Sequence, residues 1–263
     1  MSADRLIGVG RTAEVWTAGE QLVAKVLLPG FDRRVLEIEA RKTQAAHDAG
    51  VKAPGTHGEM FRDGRYGYLF DRVDGDVMLD VLRRRPWAYR SHAHVLSRVQ
   101  AEIHGSVTTE LPSVKDLLAH KIDQADPLDS ATRRAAKDRL RELEDEDAVL
   151  HGDFHPGNVI ISTDGPVVID WLDASRGSPA ADVARTLWLL TPAGIPPDTA
   201  GRPLLAAFVT LFRRRYLATY LQRTRLDAAV VARWRLPVIA GRLSEGIDHE
   251  TAPILEELAR LTR

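Results

Sequence analysis

Short apolar runs separated by turn residues fill the first seventy positions, and a helical period governs most of the remaining chain. Leu6–Gly10, Ala13–Thr17 and Leu22–Leu28 read as strands, with Ala18-Gly19-Glu20-Gln21 as one of the turns between them. Asp32 is placed to cap a helix running to Ala49 and closed by Gly50, with Val35, Ile38, Ala45 and Ala46 on or near one face. After the break at Pro54-Gly55, two more strands flank the hairpin signal Arg62-Asp63-Gly64-Arg65, the second covering Tyr66–Val73. Asp74-Gly75-Asp76 then divides a unit at 1–73 from one at 74–263. The second unit predicts helices near 77–84, 88–106, 114–124, 130–145, 180–190, 202–222, 226–244 and 250–262. Short β segments at Val149–Ile161 and Pro166–Trp171 interrupt them around Thr163-Asp164-Gly165. The pattern is an α+β, bilobal one, a small antiparallel β-rich lobe joined to a larger, mainly helical lobe.

Composition narrows the class. The 263 residues are enough for two lobes with cores of their own. Lys and Arg number 36 against 37 acids, so no basic surface points to nucleic acid. A chain 44% hydrophobic and 28% charged is of ordinary globular composition. With no cysteine, disulfides, thiolate metal sites and a cysteine nucleophile are excluded together. The start MSADRLIGVG has no basic-then-apolar leader pattern, and stretches such as Leu204–Phe212 are far too short to span a bilayer. The expectation is a cytoplasmic protein, monomer or homodimer, with no nucleic-acid or membrane partner.

The segment richest in chemistry is His151-Gly152-Asp153-Phe154-His155-Pro156-Gly157-Asn158, followed by the apolar run Val167-Val168-Ile169 and then Asp170-Trp171. Phosphoryl transfer from ATP needs a carboxylate to orient and deprotonate a hydroxyl, and oxygen ligands to hold Mg2+ against the phosphates. Asp153, Asn158 and Asp170 supply that set in order, with the D-x-x-x-x-N spacing of a kinase catalytic loop. Near the N-terminus, Gly8-Val9-Gly10-Arg11-Thr12-Ala13 resembles a phosphate-covering glycine turn, with Ala13 in place of a third glycine. Lys25 interrupts the apolar strand Val23–Leu27 in a chain with 30 Arg and only 6 Lys. A buried ammonium there needs a carboxylate partner on the following helix, Glu39 first and Glu37 second.

Together these residues resemble the aminoglycoside phosphotransferase and choline kinase-like family of small-molecule kinases, closely over 149–185, less so over 6–75 and vaguely beyond 195. The resemblance implies a protein-kinase-like fold and an ATP-dependent O-phosphotransferase acting on a hydroxyl of a small polar acceptor, with or without an amine, such as an aminoglycoside or other antibiotic, an amino sugar or a choline-like metabolite. It implies Asp153 as catalytic base with His151 organising its loop, and Asn158 and Asp170 as Mg2+ ligands. Gly8, Gly10 and Lys25 would face the ATP phosphates, and Phe70–Val73, including Asp71 and Val73, would be the adenine hinge. Asp182 would cap and anchor the helix after the loop. Trp171-Leu172 departs from the Phe-Gly that follows the metal-binding Asp in protein kinases. The A-P-E segment is absent, which favours a small acceptor over a protein.

Carboxylates suited to a cationic acceptor are Asp173, Glu245, Asp248 and Glu250, while the nine Arg of 202–242 read as helix surface rather than an anion site. Two other classes compete. The alternation of His151, Asp153 and His155 could ligate a metal in a hydrolase, although the other seven histidines form no second cluster. A nucleotide-binding regulatory pseudokinase would keep the cleft without turnover.

Overall fold

The computed structural model describes residues 5–263, so positions 1–4 of the predicted N-terminal unit lie outside the described residues. Strands β1 (Leu6–Val9), β2 (Ala13–Ala18), β3 (Leu22–Leu27), β4 (Thr56–Arg62) and β5 (Arg65–Asp71) form one antiparallel sheet in the order β1-β2-β3-β5-β4. Tight turns fix its register: Ala18 faces Leu22, and Arg62 faces Arg65 across an Asp63-Gly64 turn with positive φ at both residues. Helix α1 (Arg34–Asp48) packs on β4 and β5, with Leu27, Leu36 and Tyr66 forming the small core between them. Asp32 accepts from the Arg34 N–H at 2.9 Å, one residue ahead of the assigned cap position.

The buried face of α1 differs from the predicted one. Leu36, Glu39, Ala40, Lys42, Thr43 and Ala46 are buried, while Ile38 is exposed and Val35 and Ala45 are half-buried. The helix turns a partly polar face inward because Glu39 finds a partner in Lys25 and Lys42 in the Leu172 carbonyl.

Past β5 the chain passes Arg72–Gly75 into β6 (Asp76–Val77), α2 (Met78–Arg84), α3 (Tyr89–His104), α4 (Val114–Asp123) and α5 (Ser130–Glu142). Then come β7 (Ala148–Leu150), β8 (Val159–Ser162), β9 (Gly165–Val168), β10 (Ser175–Gly177) and helices α6 (Pro179–Leu189), α7 (Arg202–Thr224), α8 (Ala228–Arg242) and α9 (Asp248–Leu261). β6 pairs with β8, so the crossing segment is clamped to the helical lobe at once. Gly75 makes this possible: at φ +154° an added Cβ would lie 2.4 Å from the Ile161 carbonyl oxygen. The predicted segment Val149–Ile161 is two strands with a catalytic-type loop between them. β10, which pairs with β7, leaves no mark in the sequence because three residues carry no period.

Side-chain caps from Ser113, Asp129 and Asp227 start α4, α5 and α8. One continuous core, including Leu96, Ile122, Leu150, Phe154, Trp171, Tyr216 and Trp234, joins the helices to β7 and the loop after it. Among the described residues no helix is long and apolar enough to cross a membrane.

Candidate active site

A cavity of about 630 Å³ separates the five-stranded sheet from the helical lobe, lined by Gly8, Gly10, Lys25, Glu39, Phe70, Asp71, Val73, Asp153 and Asp170. Residues far apart in sequence thus meet in one cleft. Lys25 projects from β3 and bonds Glu39 of α1, with its Nζ also 3.3 Å from Asp170 Oδ1. Glu37 pairs instead with Arg33 at 3.0 Å, which settles the choice between the two glutamates. Burial works against the Lys25 ammonium, but the Glu39 and Asp170 carboxylates outweigh it and raise its pKa, so the charge is held. Burial pushes the Glu39 carboxyl up, with Lys25 opposing.

Neither Gly8 nor Gly10 has positive φ, and an added Cβ would meet Val15 Cβ at 3.8 Å or the Ala13 carbonyl at 3.3 Å. The fold tolerates a methyl at Gly8 freely and at Gly10 with a small shift, so these glycines answer to what approaches them from the cleft. In the crossing segment the Asp71 and Arg72 N–H groups donate to Gly55 and Gln21 carbonyls, whereas among the described residues the Val73 N–H has no partner. The Asp71 carboxylate accepts from Gly55 N–H at 2.6 Å and contacts His57 Nε2 at 2.7 Å, so it braces the crossing segment.

His151 lies fully buried beneath the loop, its ring 4.7 Å from that of Trp171. Its Nε2 lies 3.0 Å from the Ile169 carbonyl, and its Nδ1 accepts from the Asp153 N–H at 3.2 Å, which assigns the proton to Nε2. Asn158 does not line the cleft; its Nδ2 donates to the Asp153 carbonyl at 2.9 Å and approaches Asp153 Oδ2 at 3.4 Å. Asp170 sits at φ +66°, a left-handed conformation that Asp tolerates better than most residues.

Asp182 anchors the loop from below rather than capping its own helix. Its carboxylate accepts from the Gly152 N–H at 2.7 Å and the His151 N–H at 3.3 Å, and meets Gln100 and His104 at 2.9 and 3.0 Å. Burial works to raise this carboxyl, yet those partners hold it down at about 2. Gly152 packs equally tightly: φ is +79°, and a Cβ there would stand 2.3 Å from the Asp173 carbonyl oxygen. Gly152→Ala is therefore expected to lower stability by about 2–4 kcal/mol and to displace Asp153, read as an unfolding midpoint and a lost turnover. A fully stable, fully active alanine variant would contradict that packing.

Around Asp153 the sequence pattern does not reveal Arg185. Buried on α6, its guanidinium lies 3.6 Å from Asp153 Oδ1, donates to the Gly152 carbonyl at 3.0 Å and binds Glu245 at 2.7 Å. It follows Asp182 by three residues on one helix, a same-face spacing that is the one available signal. Burial would raise the Asp153 carboxyl, but His155, 3.5 Å away, and Arg185 hold it far below the usual carboxylate range. Lys42, pushed down to about 8 by burial, donates to the Leu172 carbonyl at 2.8 Å. Of the acceptor carboxylates expected from sequence, Asp173 shares the large cleft with Asp153 and Glu245 is linked to Asp153 through Arg185, but Glu250 is buried against Arg242 and Trp188 and Asp248 is exposed on α9. The Arg-rich stretch is likewise not all surface: Arg242 is buried in that ion pair and Arg213 donates to the Leu187 carbonyl.

A sheet lobe carrying a glycine turn and a lysine–glutamate pair, closed over a helical lobe carrying a histidine-braced aspartate loop, defines a small-molecule phosphotransferase of the kinase-like class. The family model described as the APH phosphotransferase enzyme family matches residues 7–229, and the chain belongs to that family. Its fold is shared with the GDP and kanamycin complex of APH(2")-IIia at 17% identity, covering 99% of this chain and 91% of that one with a TM-score of 0.57. It is shared too with the streptomycin–ATP–APH(2")-IIa ternary complex at 15% identity, 98% and 91% coverage and a TM-score of 0.59. A choline/ethanolamine kinase family protein from Mesorhizobium loti is similar at 16% identity, 99% and 87% coverage and a TM-score of 0.59. Among curated proteins none matches this chain.

Proposed function

We propose that this phosphotransferase moves the γ-phosphoryl group of MgATP to a hydroxyl of a small polar acceptor, with Asp153 as the base. The observation that carries the reading is the single cleft in which the glycine turn, the Lys25–Glu39 pair, Asp170 and Asp153 meet. The hydroxyl oxygen bonds to the γ-phosphorus as the bond to the ADP oxygen breaks, and the hydroxyl proton passes to Asp153. A carboxylate held so low is a weak base. Asp153 therefore orients the hydroxyl first and takes the proton late, once the oxygen has become acidic through bonding to phosphorus. Lys25 faces the phosphates, and the unpartnered Val73 N–H is the adenine donor of the crossing segment.

The donor set fits magnesium. Asp170 offers a carboxylate 45% exposed, and Asn158, set behind the cleft wall with its amide nitrogen taken by Asp153, would have to present its Oδ1 from there; both are hard oxygen donors. Magnesium, when bound by these two, neutralises charge developing on the phosphate oxygens. Asp170→Asn keeps a residue at ease with the left-handed backbone, so its effect reports the lost charge alone. MgATP affinity is expected to fall by more than about tenfold, since even outer-shell changes at metal sites cost that much. An unchanged affinity by titration calorimetry would remove Asp170 from the metal site.

The hydrolase alternative loses its first ligand, because both ring nitrogens of His151 are engaged with backbone groups. A silent nucleotide binder is disfavoured by the complete set of polar groups. The deciding experiment is ADP release from MgATP, with MgGTP in parallel, across aminoglycosides, amino sugars, choline-like amines, nucleosides and hydroxy amino acids. Acceptor-dependent release supports the transferase; tight MgATP binding without release from any acceptor favours the regulatory reading.

A further inference from the structure

Asp173 lines both the large cleft, which it shares with Asp153, and a smaller cavity of about 50 Å³ behind Gly152 whose wall includes Arg185, Glu245 and Lys121. Apolar walls from Leu118, Leu150 and Val238 close its far side. Asp173 and Glu245 each already have a cation, and Asp182 on the same wall is held by backbone N–H groups, Gln100 and His104. Lys121 Nζ bonds Asp173 at 2.8 Å and reaches Glu245 at 3.5 Å, and Arg185 bonds Glu245 at 2.7 Å while standing 3.6 Å from Asp153. Arg242 binds both Glu245 and Glu250. Burial works to raise the Asp173 carboxyl, but Lys121, with Arg185 beyond it, holds it ionised and paired. Lys42 adds a further cation on the α1 side, close enough to Asp173 and Lys121 for both to affect its charge.

Resting on the proposed phosphotransferase function, we propose that the acceptor is a hydroxyl compound without net positive charge, and that Lys121 excludes polycationic acceptors. Lys121, Arg185 and Arg242 between them contact Asp173, Asp153, Glu245 and Glu250. An acceptor bearing several ammonium groups would find no free carboxylate and would have to displace Lys121 or Arg185 from theirs. A neutral or zwitterionic hydroxyl compound meets no such penalty, and a carboxylate on it could borrow the part-exposed Lys121 ammonium. Lys121 lies on α4, outside the lining of the large cleft, and touches that cleft only through Asp173.

The test uses the full-length protein saturated with MgADP and titrated with kanamycin at low ionic strength, where charge effects are least screened. MgATP binding to the wild-type protein is measured first; its absence would bring down the phosphotransferase reading itself and is thereby told apart from failure of the present one. The wild-type protein is expected to bind kanamycin no more tightly than about 1 mM. Lys121→Met, or Lys121→Gln if the first does not fold, frees Asp173 and is expected to tighten kanamycin binding about tenfold. Lys121→Arg restores the charge and is expected to return the wild-type behaviour. Micromolar kanamycin binding by the wild-type protein, or a neutral variant that binds kanamycin no better than wild type, overturns the proposal.

Discussion

Asp153→Ala is expected to reduce turnover by about three powers of ten or more while MgATP binds with nearly unchanged affinity. Three features make the position intolerant. The backbone that carries the carboxylate is clamped on both sides, by His151 Nδ1 below and by Asn158 Nδ2 at its carbonyl. Its charge is held by His155 and Arg185, so removing it leaves Arg185 buried with Glu245 as its remaining carboxylate. No water can assume the same fixed geometry. Under the proposed function the nucleotide contacts fall to Lys25, the glycine turn and the crossing segment, which the truncation does not touch. The measurement is kcat and KM for both substrates together with a separate binding titration. Wild-type turnover in the variant would refute the assignment, whereas a parallel loss of MgATP affinity would show that Asp153 serves nucleotide binding.

Asp182→Asn is expected to show the largest loss of stability of any isosteric change at the site, about 3 kcal/mol, together with loss of turnover. The amide keeps the shape but replaces an acceptor oxygen by an NH2 group, which would oppose the Gly152 or His151 N–H, or His104 and Gln100, in a fully buried setting. The pH dependence follows from the lowered carboxyl. Its folded value of about 2 lies below the 3.8 of the free group, so the anion stabilises the fold fully above about pH 5. That contribution, roughly 2 kcal/mol at 1.36 kcal/mol per unit, is lost as pH falls from about 5 toward 2. Urea unfolding at pH 7 and pH 3 checks both parts: the gap between wild type and variant should narrow in acid. Equal midpoints at pH 7 would refute the anchor.

The strands, the hairpin turns and most helices are legible in the sequence because each carries its period and its stop signals locally. The histidine–aspartate–asparagine loop and Lys25 are legible because an ionisable residue inside an apolar strand, or a fixed carboxylate–amide spacing, is rare without a chemical reason. The inward face of α1 is not. Its apolar positions point to Ile38, yet Glu39 is buried against Lys25 of strand β3 and Lys42 against the Leu172 carbonyl more than a hundred residues away, which no local pattern encodes. Arg185 is hidden for a different reason: one of 30 arginines carries no signal by type, and beyond its spacing from Asp182 only its distance from Asp153 singles it out. Glu250 reads in the sequence as an acceptor carboxylate, and its burial is not legible because Arg242 lies on the preceding helix and meets it only once the turn between them is formed.

The two inward bonds of α1 have a mechanical consequence. Glu39 ties the helix to β3 through Lys25, and Lys42, one turn further along, ties it to the carbonyl of Leu172 in the helical lobe. Three residues of helix rise about 4.5 Å, so the fastenings sit close together on one rigid rod. α1 thus behaves as a strut pinned to both halves of the molecule. The sheet cannot lift away from the helical lobe without pulling Lys42 from its carbonyl or Lys25 from Glu39.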